Sequence, residues 1–345
     1  MIPIQNIYYM LSYAFQVLNE QGYKNIATEQ FHNTAELMAA ILEKGIAIQL
    51  KRGLGKEYIL QTEALSSLQG KIDIAESIKT QSMLRKQLIC TYDEFSVNSI
   101  MNRIIKSTVE LLLRSNISKQ RKKNLRKLMV YFSEVDFIDL YTVNWNVQYN
   151  RNNQTYRMLI SICYLVVKGL LQTQSNGHTK LMDFLDEQRM CRLYEKFILE
   201  YYRREFKNQI TANASQIPWQ LDNEENSMLP VMQSDIMLQS GEKVLIIDAK
   251  YYEHSTQVQF DKHTLHSGNL YQIFTYVKNK EYELREKDHT VSGMLLYAKT
   301  DEEIYPNNVY QMSGNQITVR TLDLNLPFDE IAGQLNTIAK THFDL

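Results

Sequence analysis

The chain has 345 residues, 44% hydrophobic and 22% charged, which excludes a disordered polyelectrolyte and allows roughly two domains of about 150 residues. Its 38 Lys and Arg against 39 Asp and Glu leave a net charge of -1, so contact with nucleic acid has to be local or supplied by a partner. Cys90, Cys163 and Cys191 show no CxxC pair and no histidine at ligand spacing. Neither a zinc site nor a disulfide framework is expected, and reduced thiols of a cytoplasmic protein are. The N-terminus lacks a basic region and a cleavage site, and the apolar stretch Met158 to Leu171 is broken by Ser161 and Lys168, so no signal peptide and no membrane span is expected.

In chain order, residues 6–18 and 34–45 have helical spacing of apolar side chains. Residues 46–75 read as short strands and tight turns, with Ala47-Ile48-Gln49-Leu50 and Glu57-Tyr58-Ile59-Leu60 alternating between glycine-containing breaks. Helical periodicity returns over Val97–Leu113 and Ser118–Tyr131. The asparagine-rich stretch Asn144–Thr155 is the expected linker, giving domains 1–150 and 151–345, to within about ten residues. Beyond it come helices over Tyr156–Leu171 and Cys191–Phe206. A hairpin follows, Leu229–Leu238 and Lys243–Lys250 about Gln239-Ser240-Gly241-Glu242, then a helix over Asn269–Lys278 and a strand at Gly293–Tyr297. This order predicts an α+β or α/β core with helices packed on a mixed sheet.

The chemistry concentrates on the hairpin. Its second strand ends Ile246-Ile247-Asp248-Ala249-Lys250, and charge in an apolar strand needs a reason because unpaired burial is costly. Asp248 and Lys250, two apart, share a strand face that Asp235 on the paired strand can reach. Two aspartates with the Ala249 carbonyl make an oxygen site suited to Mg²⁺, and a lysine beside it can orient a water and stabilise phosphate charge. A salt bridge of Lys250 with either aspartate is the structural alternative. Glu205-Phe206-Lys207 fits the same letters but on a helix. Glu195 on the preceding helix can supply a third carboxylate, or be a solvated surface group. Gln272 and Tyr276 share a helix face at i and i+4, as an accessory pair or as ordinary packing. Gly53-Leu54-Gly55-Lys56 is too short for a phosphate loop and lacks the following Ser or Thr. The basic run Lys119, Arg121, Lys122, Lys123, Arg126 and Lys127 is a candidate surface for DNA phosphate or an acidic partner, against a solvated helix face. His263 reads as a surface residue and His266 as a packing residue.

Several segments in order resemble the McrC family, the nuclease subunits of McrBC modification-dependent restriction systems. They are Ile4 to Ala14, Arg52-Gly53-Leu54, Gly70-Lys71-Ile72, Asn102 to Thr108, Ser234-Asp235 with Ile247 to Tyr252, and His266 to Gln272. The resemblance implies a C-terminal PD-(D/E)xK endonuclease domain with Asp235, Asp248 and Lys250 at its catalytic positions, Ser234 replacing the proline of that motif. Gln272 and Tyr276 resemble the accessory Gln-x-x-x-Tyr motif of one branch of these nucleases. It further implies an N-terminal region that docks on a hexameric McrB-like AAA+ GTPase and stimulates GTP hydrolysis, the GTPase reading the modified cytosine of double-stranded DNA. The expectation is therefore a Mg²⁺-dependent endonuclease subunit; the alternative is a non-catalytic adaptor that activates the GTPase and bridges it to DNA.

Overall fold

In the computed structural model of the chain, residues 2–19, 23, 26, 29, 31–151, 153–175, 187–223, 228–251, 257–259, 262–299 and 305–345 are described. The chain forms two compact units, Met1–Ala27 with Leu185–Leu345, and Thr28–Phe184. This corrects the expected single cut at residue 150, because the first and last parts of the chain share one core.

Helix α1 (Ile4–Ala14) shows why. Its Tyr8, Met10 and Leu11 are buried. Tyr13 stacks on Phe328 at 5.7 Å between ring centroids and its hydroxyl donates to Glu205 at 2.8 Å. The Asn6 amide donates to the carbonyls of Leu324 and Leu326, both at 2.8 Å. Each of these partners lies beyond residue 185, so the distal segment satisfies these groups of α1.

The second unit begins with α2 (Thr34–Arg52), followed by β1 (Glu57–Leu65), β2 (Lys71–Asp73), α3 (Ile74–Lys79), β3 (Leu88–Ser96), α4 (Ile100–Arg114), α5 (Lys119–Met129) and α6 (Tyr156–Ser175). Residues 47–50, expected as a strand, continue α2. Leu42, Ile46 and Gln49 are buried at helical spacing, and the helix ends only where Gly53 adopts φ 91°. The β1, β3 and β2 strands form an antiparallel sheet in that order. Helix α6 falls in this unit rather than in the distal half. The buried Tyr156 hydroxyl accepts from Gly55 N at 2.7 Å and donates to Asn102 Oδ1 at 2.8 Å. The basic run lies on α5, but Arg121 is committed internally. Its guanidinium pairs with Glu29 at 2.7 Å, Glu43 at 2.9 Å and Glu36 at 3.5 Å. Lys119, Lys123, Arg126 and Lys127 stay exposed.

The first unit resumes with α7 (Glu187–Glu205), β4 (Thr211–Asn213), β5 (Gln216–Ile217), β6 (Met232–Gln233), β7 (Ile236–Ser240), β8 (Lys243–Lys250), β9 (Gln257–Gln259) and β10 (Lys262–Thr264). It ends with α8 (Ser267–Glu283), β11 (Thr290–Ala298), β12 (Asn308–Met312), β13 (Asn315–Leu322) and α9 (Phe328–Phe343). Six strands make a mixed sheet in the order β12-β13-β11-β8-β7-β4, with β11 parallel to both β8 and β13 and the other pairs antiparallel. The predicted hairpin turns through Gly241, at φ 57°, and Glu242 between the paired Ser240 and Lys243. Ile273, Tyr276 and Val277 of α8 pack on Val244, Ile246, Leu295 and Val319. That approach requires Gly293, where a Cβ would stand 2.8 Å from Ile273. Alternate residues Leu245, Ile247 and Ala249 turn to the opposite face, toward α7.

Leu11→Ala is expected to cost about 2–5 kcal/mol, a fully buried leucine removed from a close-packed site. Amide exchange should show the lost protection in residues 185–345 and leave α2 to α6 protected; equal loss in both units would contradict the division.

Candidate active site

The hairpin register generates the site. The β7–β8 pairing begins at Ile236 with Ile247, and Asp235, expected on the strand, stands in the bend just before it, where the register leads on to Asp248. Asp235 is held by its Oδ2, which accepts the Ala249 N–H at 3.0 Å. Asp248 is 1% exposed, and its Oδ1 accepts from Lys250 Nζ at 2.8 Å. Its Oδ2 is buried and meets no hydrogen-bond donor in the protein. Burial pushes the Asp248 carboxyl up to about 7, Lys250 opposes the shift, and the facing Asp235 adds to it.

Glu195 reaches the same cluster from α7. Burial, and after it the charge of Asp235, push its carboxyl up. Sequence reasoning passed over Cys191, one turn earlier on α7. Its thiol donates to Glu195 Oε1 at 3.1 Å and stands 3.8 Å from the Ala249 carbonyl oxygen. Burial and the Glu195 carboxylate push that thiol up to about 12, so it remains a protonated donor. The i, i+4 spacing of Cys191 and Glu195 is the signal that links them. Ser234, at the position of the motif's proline, is buried and bonded both ways with the Ser215 backbone, N–H to Oγ at 3.3 Å and Oγ to carbonyl at 3.1 Å, fixing the approach to Asp235.

Asp235, Asp248, Lys250 and Glu195 thus come together. Gln272 and Tyr276 bond to each other, Nε2 to the hydroxyl at 2.9 Å, and no hydrogen bond among the described residues ties them to the carboxylates. A neighbouring link on α8 is Asn269, whose amide donates to the Tyr297 hydroxyl at 2.9 Å, on the strand position paired with Lys250. His266 stands at the N-cap of α8. The His263 side chain and Tyr252 lie outside the described residues.

Among the described residues, no three His, Cys, Asp or Glu side chains close around a metal position. The donor set still fits a hard divalent cation. A buried carboxylate oxygen without a donor, opposed by a second carboxylate, is stabilised by added positive charge, and Mg²⁺ binds through one or two carboxylates while keeping waters. Among the described residues no helix is long and apolar enough to cross a membrane.

The fold and site define an α/β protein whose mixed sheet ends in a buried carboxylate–lysine cluster. The profile of the family described as "McrBC 5-methylcytosine restriction system component" matches residues 5–298. The chain belongs to that family. It is 30% identical over 329 residues to the type IV methyl-directed restriction enzyme EcoKMcrBC of Escherichia coli (strain K12), covering 94% of this chain and 93% of that protein. Two solved structures are similar. The refined half-complex from the tetradecameric assembly of Thermococcus gammatolerans McrB AAA+ hexamers with bound McrC has a TM-score of 0.49 and 18% identity, over 97% of this chain and 76% of that one. The cryo-EM structure of the Thermococcus gammatolerans McrBC complex has a TM-score of 0.41 and 21% identity, over 59% of each chain.

The raised Asp248 carboxyl sets a pH dependence. An unfolded aspartate titrates near 3.9, so between that value and about 7 the folded state holds a proton the unfolded state has released. Stability therefore falls as pH rises through this window. Asp248→Asn, which removes the charge and leaves Asp235 near Lys250, should make the chelator-treated protein more stable relative to wild type at pH 8 than at pH 5. Thermal unfolding in EDTA across this range measures it; a gain that grows as pH falls would reverse the assignment.

Proposed function

We propose that this chain is the Mg²⁺-dependent endonuclease subunit of a cytoplasmic, GTP-driven restriction complex directed at DNA with modified cytosine. The observation that carries the reading is the gathering of Asp235, bonded to the Ala249 N–H, and of Asp248, bonded to Lys250, at the end of the β7–β8 pair. Membership of a restriction-system family and the methyl-directed enzyme among its relatives supply the substrate class.

Asp235 and Asp248, with the Ala249 carbonyl beside them, hold the metal. When bound, Mg²⁺ supplies Lewis-acid stabilisation of phosphoryl charge and lowers the pKa of a coordinated water. Lys250 keeps a cationic donor next to the aspartates, where it orients the attacking water and meets charge that develops on the phosphate. The Ala249 N–H fixes Asp235, and the Cys191 thiol fixes Glu195 near it. Gln272 and Tyr276 act as a supporting pair on α8. These groups are in place in the folded chain, so little reorganisation is needed when the substrate arrives.

The energy source lies on another chain. Gly53 caps α2, and Gly55 N is bonded to the Tyr156 hydroxyl, so the glycine segment that superficially suggests a phosphate loop is occupied by structural contacts. A hexameric McrB-like AAA+ GTPase docked on the N-terminal part supplies nucleotide hydrolysis and reads the modified base, and this chain stimulates its GTPase.

Asp248→Ala should abolish cleavage while GTPase stimulation stays near wild type. Lys250→Ala should keep divalent-metal binding and cleave about a hundredfold more slowly or worse. Near-normal cleavage by the lysine variant would reduce Lys250 to a salt-bridge partner. Loss of stimulation by a folded Asp248→Ala protein would count against separate docking and cutting functions.

The isolated chain should cut DNA negligibly in Mg²⁺, because a net charge of -1 gives little phosphate neutralisation. Adding the GTPase, GTP and DNA with methylated cytosines should switch cleavage on, as read by gel assay. Efficient cleavage of unmodified DNA by the chain alone would refute partner dependence, and no cleavage under any condition would favour the adaptor.

A further inference from the structure

On the α9 side of the sheet lies a cavity of about 210 Å³, lined in part by Leu296, Asn307, Arg320, Thr321, Gln334 and Thr337. Val319 packs toward α8, so strand alternation turns its neighbour Arg320 toward α9. Arg320 pairs in register with Leu296, and Leu296 with Ala249. The cavity therefore stands two strands, about 10 Å, from Ala249 and on the face opposite Asp248 and Lys250. It is not part of the carboxylate site.

Two donors there are unspent. Arg320 Nε and Gln334 Nε2 are both buried and have no hydrogen-bond partner. The amide of Gln334 is fixed by its other end, since Oε1 accepts from Asp323 N at 3.2 Å. The acid nearest in sequence to Arg320 is Asp323, and its carboxylate is taken by Lys299 Nζ at 2.6 Å. Among the described residues the guanidinium Nε and the amide Nε2 both lack an acceptor, so each loses solvation on burial that no described residue replaces. The guanidinium fork matches an oxyanion, and several converging donors favour a tetrahedral one. The volume admits such a group but falls below the roughly 300 Å³ at which sites for larger small molecules begin, so a whole nucleoside does not fit.

We propose that this cavity binds a phosphate-type oxyanion, held by the Arg320 guanidinium with Gln334 Nε2 as a further donor. The anion is either a free ion or the terminal phosphate of a nucleic acid strand, and the site is independent of the nuclease reading given above.

The test is thermal unfolding and calorimetric titration of the full-length chain with inorganic phosphate, against chloride and acetate at matched ionic strength. The wild type should show a saturable rise in Tm of about 3–6 °C at roughly ten times the Kd, with no comparable effect of acetate. Arg320→Gln should weaken phosphate binding by at least about tenfold, the loss of a charged hydrogen bond. It should also be no less stable than wild type in phosphate-free buffer, since an unmatched charge is removed. Thr337→Phe, on an exposed position of α9, leaves Arg320 in place, fills the cavity mouth and should abolish the response as well. Competition with phosphate by a 5′-phosphorylated oligonucleotide, but not by its 5′-hydroxyl form, identifies a strand end as the source; failure to compete identifies the free ion. An equal phosphate response in wild type and either variant, or an equal shift with acetate, overturns the proposal.

Discussion

A buried carboxylate, Asp248, beside the half-buried carboxylate of Asp235 at the end of a strand pair is the constraint around which the distal unit is organised. Asp235 and Asp248 are brought together by hairpin register, and that register depends on a two-residue turn at Gly241 and on the apolar alternation of β8. A slip of one residue would carry Asp248 to the α7 face and send Ile247 into its place. The surrounding contacts are what such a pair requires: one N–H for Asp235, one ammonium for Asp248, and helix α7 bringing Glu195 with its thiol donor. The pair is destabilising by itself, which is how binding sites differ from cores built only for stability.

The same logic separates residues of the family segments that serve structure from those of the candidate site. Asn6, Gly55 and Asn102 all fall in or beside the segments that carry the family resemblance. Each spends its hydrogen bonds on backbone or tyrosine within its own unit. Arg121, in the most basic stretch of the chain, is likewise consumed by three glutamates. These are buried polar networks whose members are satisfied, and they fix a single arrangement of the surrounding helices. Arg320 is the counter-example, a cation with an unspent donor.

Much of the site was legible because β8 is a continuous apolar run interrupted by charge, a local signal. The mixed sheet with flanking helices followed from element order. Residues 47–50 misled because four letters alternating in polarity also fit the end of a helix, and the burial of Ile46 and Gln49 decides for the helix. Cys191 reads in the sequence as an ordinary reduced thiol, because its i, i+4 spacing to Glu195 gains meaning only from the strand it meets 58 residues later. The membership of α1 in the distal unit was hidden for the same reason. Amphipathic spacing says that a helix has a face to bury and does not say against what.

The bond from Asn6 to the Leu324 carbonyl spans 318 positions. A ribosome making this chain from its N-terminus therefore releases α1 long before the strands and helices that cover it exist. Thr28–Phe184 forms a compact unit by itself and can fold while synthesis continues, whereas the sheet bearing the carboxylates closes only after nearly the whole message has been read. An interrupted translation product would carry the intervening unit intact and no finished sheet. On the nuclease reading proposed above, the order of assembly is itself a safeguard: chemistry would be the last thing the nascent polypeptide acquires.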